Sequence, residues 1–184
     1  AGSVIHAVAD EQDMRKMGGL KNLVPFTYSV MMIGSLALMG FPFLTGFYSK
    51  DVILEVAYGK FTTAGHFAYV LGSLAAFLTA FYSMRLAHLT FLSEPNGYRS
   101  VIIHAHDSPF RMALPLAILT VPSIFIGYLT KDMFIGMGTD FWGNSIYVAP
   151  SNMNTIDAEF IPQIFKLLPV ILSISGAFAS FVFY

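Results

Sequence analysis

Residues 22–49 contain no charged side chain, and this run limits what the chain can fold into more than any other feature. A helix needs about 20 apolar residues to cross a bilayer, so the run is long enough to do so. Pro42 and Gly46 interrupt it near its end, and the charged pair Lys50–Asp51 follows at once. At membrane depth, backbone N–H and C=O groups that a helix break leaves unpaired need protein or water around them, and so does a charged side chain. We therefore predict one broken membrane helix over about 22–58, with its break at Pro42 and Gly46.

The composition favours a membrane environment for the rest of the chain. Hydrophobic residues make up 55% of the 184 residues and charged residues 11%, whereas a soluble domain carries about 25% charged residues. The net charge of −1 argues against a nucleic-acid partner, which requires a strongly basic face. The absence of cysteine excludes disulfides, iron–sulfur clusters and thiolate metal sites.

The uncharged runs predict an all-α polytopic membrane protein that forms a single membrane domain in contact with the lipid bilayer. The predicted spans are about 22–58, 61–93, 110–130 and 159–184, with a helix tail at 1–9, a charged loop at 10–21 and a mixed interfacial loop at 131–158. Lys and Arg are in excess in the first loop, at 10–21, and in the third loop, at 94–110, which indicates that these two loops lie on the inner side. Both termini fall in apolar helices, so we expect this chain to be a piece of a longer protein.

Lys50, Asp51 and Glu55 are the main candidate site residues. Asp51 and Glu55 are four residues apart and therefore share one helix face. One interpretation is a lysine at a helix end that extends its amine to the aqueous edge of the membrane. The other interpretation follows from the break, which brings Lys50 deeper and lets water in. A lysine held away from bulk water can release a proton where an exposed one would not.

Histidine offers further candidates. His6 lies on the predicted helix tail, where it is either a hydrogen-bonded helix-end residue or part of a proton relay, since histidine titrates near neutral pH. His104 and His106 are spaced as two metal ligands could be, but they fall in a turn-rich loop without a second group of ligands. We therefore predict no metal site.

Three stretches carry a resemblance to a known family. They are AGSVIHAVADEQDMRKMGG at residues 1–19, GSLALMGFPFLTGFYSKD at residues 34–51 and KDMFIGMGTDFWGNS at residues 131–145. The first two resemble subunit 5 of the proton-pumping NADH:ubiquinone oxidoreductase, respiratory complex I. The third resembles the plant and algal mitochondrial versions of that subunit. The resemblance extends over the whole chain and corresponds to the C-terminal part of the family.

The resemblance implies an antiporter-like helical bundle with one broken transmembrane helix, in the mitochondrial inner membrane. It implies that Lys50 is the lysine of the proton-exit half-channel, Asp51 its acidic neighbour, and His6 a histidine near the central axis. Loop 10–21 would face the matrix. The implied partners are other complex I subunits, including the neighbouring antiporter-like subunit and the missing parts of this chain's own subunit.

No cofactor is expected in this chain; NADH, FMN, iron–sulfur clusters and ubiquinone are expected in other subunits. The chain would be part of an enzyme without being catalytic alone. One alternative is a subunit of a multisubunit sodium/proton antiporter, which shares the broken helix and the charged loop. A second alternative is a purely structural component of the membrane arm.

Overall fold

The computed structural model describes residues 2–136, 139–143, 145 and 157–184. Within these ranges the chain is helical and contains no β-strand, which confirms the predicted all-α fold. The α-helices are α1 (Gly2–Ala7), α2 (Pro25–Met39), α3 (Thr45–Gly59), α4 (Thr63–Ala87), α5 (Arg99–His104), α6 (Phe110–Phe134) and α7 (Gln163–Phe183). A π-helical turn, His88–Leu92, continues α4.

Among the described residues, three unbroken helices are long and apolar enough to cross a membrane: Thr63–Leu92, Phe110–Phe134 and Gln163–Phe183. The span predicted over 22–58 is instead divided between α2 and α3, which have 15 residues each. At about 1.5 Å per residue, each half is about 22 Å long and therefore shorter than the apolar core of a bilayer, about 30 Å. A crossing at this position needs both halves.

Helix α2 has well-defined ends. Pro25 is its first residue, where the missing N–H costs nothing. The Asp107 carboxylate, from a distant loop, accepts hydrogen bonds from the N–H groups of Phe26 and Thr27, both at 3.1 Å. At the other end Gly40 has a left-handed φ of 74°, and hydrogen bonds from Gly40 N to Ala37 O and from Phe41 N to Leu36 O close the helix. These paired bonds form a Schellman motif, which favours glycine at this position.

The break lies at residues 40–44, so it includes Pro42 but not Gly46. Gly46 is the second residue of α3, not part of the break. A Cβ at Gly46 would lie 1.8 Å from the Ala37 carbonyl oxygen. The glycine is therefore needed because the two half-helices approach each other closely at this point. Phe43, inside the break, also has a left-handed φ of 74°, which is unusual for a bulky residue.

Helices α4 and α7 pack in parallel along faces of small residues. Tyr69 and Phe165 meet near the two helix starts, and Phe81 and Phe183 meet near the ends. The buried positions advance by four and three residues in turn: Tyr69, Ser73, Ala76, Ala80, Ser83 and Ala87 on α4, and Pro169, Ser173, Gly176 and Ser180 on α7. A Cβ at Gly176 would lie 2.4 Å from the Phe77 carbonyl oxygen. Small residues allow this backbone approach, as in many membrane bundles.

Helix α3 is fixed to α6 by Thr45. Its hydroxyl donates to the Pro122 carbonyl at 2.8 Å and accepts from the Gly127 N–H at 3.1 Å. A Cβ at Gly127 would lie 2.6 Å from the Thr45 Cα, so the two backbones are in close contact here. The first residue of the second half-helix is thus bonded directly to the backbone of a membrane helix.

The loops differ from prediction in two places. The loop at 94–110, predicted to be turn-rich, contains the short helix α5, and α6 continues to Phe134 into the predicted interfacial loop at 131–158. In that loop Trp142 Nε1 donates to the Phe134 carbonyl at 2.9 Å. Residues 137, 138, 144 and 146–156 of the predicted loop lie outside the described residues. The predicted tail at 1–9 is helical over Gly2–Ala7.

The charged loop at 10–21 has a defined structure. It contains short 3₁₀ turns at Met14–Lys16 and Leu20–Asn22. Hydrogen bonds from the side chain and amide of Arg15 hold the pKa of Asp13 at about 2. Beneath the loop lies an apolar cluster that joins it to α1 and to the end of α4: Val4, Ala7, Val8, Met17, Leu20, Val24 and Phe91.

Candidate functional site

The Lys50 ammonium group lies in a seat formed by the break and the last helix. Lys50 Nζ donates to the Met39 carbonyl at 2.7 Å and to the Ser173 hydroxyl at 2.9 Å. Met39 is the last residue of α2, so its carbonyl belongs to a helix end where carbonyls lack intrahelical partners and carry partial negative charge. A positive charge is stabilised at such an end. The Lys50 side chain is only partly exposed, and its ammonium group is bonded to both α2 and α7.

Gly40 provides the space for this seat. A Cβ on Gly40 would lie 2.5 Å from Lys50 Nζ and 2.7 Å from Lys50 Cε. Gly40 therefore has two roles, since it ends α2 in a left-handed conformation and leaves room for the ammonium group.

Asp51 is buried beside this seat, with 6% of its surface exposed. Its Oδ1 has no hydrogen-bond partner among the described residues. Asp51 and Lys50 are also not joined by an ion pair within 4.0 Å in the described part of the chain. A buried carboxylate oxygen without a partner is costly, so this atom is available to water or to a proton.

Glu55 lies one turn further along the same helix and meets a different set of charges. It is partly buried, and the charges of Lys166 and Glu159 act on it. Lys166 Nζ donates to the Glu159 carbonyl at 3.0 Å. Lys50, Asp51 and Glu55 therefore lead along α3 from the break towards the start of α7.

Residues of α3 border two clefts in the described part of the chain. Lys50 lines a cleft of about 440 Å³ together with Ser49, Thr79 and Tyr82. A second cleft of about 400 Å³ is bordered by Tyr58, His66, Tyr69, Ser73 and Phe165. The Tyr69 hydroxyl donates to the Phe165 carbonyl at 2.7 Å, whereas the buried Ser73 hydroxyl has no partner among the described residues. Both clefts have room for water next to groups that can hydrogen-bond to it.

The structure does not bring every predicted site residue together. His6 is exposed on α1 and has no side-chain hydrogen bond within the ranges described. Conversely, Met39, Gly40 and Ser173 form the Lys50 seat and were not predicted. Ser173 is separated from Lys50 by 123 positions, and a serine in an apolar span carries no distinguishing signal.

Comparison with known proteins supports the resemblance seen in the sequence. A family model described as "NADH:quinone oxidoreductase/Mrp antiporter, TM" matches residues 1–87, which include the charged loop, the break and the Lys50 seat except for Ser173. NADH-ubiquinone oxidoreductase chain 5 of Phytophthora infestans is 62% identical over 100% of this chain. The chain 5 proteins of Marchantia polymorpha and Arabidopsis thaliana are 57% and 55% identical, each over 98% of it.

The resemblance to NADH-ubiquinone oxidoreductase chain 5 is thereby confirmed. The chain spans only 27% to 28% of the length of these chain 5 relatives. The matching family model also covers the Mrp antiporters, so that match alone does not separate the two classes. The similarity to the chain 5 relatives extends through α6 and α7, beyond the residues that the family model matches.

Proposed function

We propose that this chain forms the part of complex I subunit 5 that releases protons from the membrane arm. The Lys50 ammonium group, half-buried in its seat at the helix break, is the observation that carries this proposal. The proposal places the chain in the mitochondrial inner membrane as a multi-pass component. It would contact the neighbouring antiporter-like subunit and the remaining parts of its own subunit.

The proposed mechanism is electrostatic. The Met39 carbonyl and the Ser173 hydroxyl both accept hydrogen bonds from Lys50 and therefore stabilise its charged form. A change of charge elsewhere in the membrane arm would alter this balance, and Lys50 would then lose a proton. Asp51, with an unpartnered buried oxygen, and then Glu55 would offer the next acceptors along α3. No redox centre is required in this chain for these steps.

The test is to measure proton pumping and electron transfer together in the assembled complex. Lys50→Ala or Asp51→Asn should lower the number of protons pumped per electron pair while assembly is retained. Lys60→Ala is a matched control, because Lys60 follows the same helix but is exposed. A normal stoichiometry in assembled Lys50→Ala complex would disprove the proposal.

Two alternatives predict different results. An antiporter subunit would give sodium-dependent transport by the intact assembly, and the family model's description keeps this class in view. A purely structural role would leave pumping unchanged in assembled Lys50→Ala complex. The half-buried Lys50 ammonium group supports the proton role, and the stoichiometry of the Lys50→Ala complex distinguishes that role from a structural one.

A further inference from the structure

We propose that Ser173 on α7 is a positioning residue that holds the Lys50 ammonium group at the helix break, with Gly40 providing the space. This inference rests on the proposed proton role of Lys50. It adds a residue of α7, a helix that is not part of the broken pair α2 and α3. The seat has one acceptor on each side, the Met39 carbonyl on α2 and the Ser173 hydroxyl on α7. Lys50 thus links the break to the last helix.

The chemistry of the ammonium group explains why both acceptors are needed. A lysine ammonium carries three N–H donors, so the seat satisfies two and leaves one for water in the adjoining cleft. Hydrogen bonds to a charged donor are about twice as strong as neutral ones. Removing the Ser173 hydroxyl leaves the Met39 carbonyl as the remaining acceptor for Lys50 among the described residues. The charged form is then stabilised less, and the side chain is free to move into the cleft.

The surroundings of Ser173 make this a defined contact. Ser173 is buried, with 6% of its surface exposed, on the small-residue face where α7 packs against α4. Ser180 lies two turns further along the same face, is fully buried, and its hydroxyl has no partner among the described residues. The two serines therefore differ in their hydrogen bonding while sharing the same packing environment, which makes Ser180 a matched control.

The experiment compares Ser173→Ala with Ser180→Ala in the whole complex reconstituted in vesicles. Two quantities are measured. The first is the pH dependence of protons pumped per electron pair. The second is the rate at which a membrane-permeant, amine-reactive reagent modifies Lys50, as detected by mass spectrometry. For Ser173→Ala we expect the pH profile to move to lower pH and modification to become roughly tenfold faster, which corresponds to about 1.4 kcal/mol. Ser180→Ala should change neither quantity.

The outcomes separate this inference from the proposed function. Unchanged modification and an unchanged pH profile in Ser173→Ala would overturn the positioning role, even if Lys50→Ala abolishes pumping. Equal changes in both serine variants would also overturn it, because they would show a general packing effect. Faster modification in Ser173→Ala beside normal pumping in Lys50→Ala would support the seat and disprove the proton role. In assembled Gly40→Ala complex, the modification rate of Lys50 should rise at least as much as in Ser173→Ala.

Discussion

The N–H groups of Phe26 and Thr27 donate hydrogen bonds to Asp107, and these bonds predict how much Asp107 stabilises the start of α2. Asp107→Ala removes a charged acceptor from two N–H groups that have no partner within the helix. Loss of a capping side chain costs about 0.5 to 2 kcal/mol, and a bond to a charged group is at the upper end of hydrogen-bond strengths. Water can replace part of the loss, because Phe26 and Asp107 are only partly buried. We therefore expect Asp107→Ala to destabilise the start of α2 by about 1 to 2 kcal/mol. This raises the equilibrium constant for local opening by a factor of roughly 5 to 30.

Limited proteolysis can measure this opening, because Lys21 is exposed and lies just before α2. Trypsin cleavage after Lys21 in the purified complex should accelerate by roughly the factor given above in Asp107→Ala. Asp107→Asn, which keeps one acceptor oxygen, should show an intermediate rate. Asp132→Ala is the control, because Asp132 is exposed and, within the described part of the chain, its side chain makes a 3.8 Å ion pair with Lys131 and no hydrogen bond. Equal cleavage rates in Asp107→Ala and the unsubstituted complex would refute the capping argument.

Two further substitutions test the close backbone contacts around the break. Gly46→Ala should greatly reduce the amount of assembled complex on native gels, because its Cβ would collide with the Ala37 carbonyl, whereas Gly34→Ala has no atom within 4 Å and should assemble normally. Thr45→Val should lower the melting temperature of the assembled complex through the loss of two bonds to the α6 backbone, each contributing about 0.5 to 1.5 kcal/mol. Thr45→Ser should retain most of that stability, and equal melting of the two Thr45 variants would contradict the argument.

The membrane spans were predictable because length and apolarity alone define them. The predicted span 61–93 corresponds to Thr63–Leu92, and the predicted span 110–130 to Phe110–Phe134. The broken helix was predicted from Pro42 together with the charged pair that follows it, because a proline alone does not decide the matter: Pro115 and Pro122 lie inside the unbroken α6. The position of the break was less certain. Gly40 and Gly46 are both glycines near Pro42, and only the fold shows that Gly40 ends a helix and Gly46 lies inside the next one.

The partners of the site were not predictable, because they are distant along the chain. Asp107 is about 80 residues from the helix that it caps, and Ser173 is 123 positions from Lys50. Neither residue belongs to a local motif, and each finds its partner only through the packing of the bundle. His6 shows the opposite case: its sequence context suggested a site residue, but the structure leaves it exposed on α1. Its proton role stays a prediction.

The most direct test of the central claim is the proton stoichiometry of complex that carries Lys50→Arg. Arginine keeps a positive charge and N–H donors but is not deprotonated in proteins, and the cleft of about 440 Å³ beside Lys50 offers room for it. Protons pumped per electron pair are counted in vesicles beside NADH oxidation, with Lys60→Arg as control. If Lys50 carries the proton, Lys50→Arg complex assembles and oxidises NADH but pumps fewer protons. Normal stoichiometry in that complex would contradict the account, because a fixed charge at Lys50 would then be sufficient.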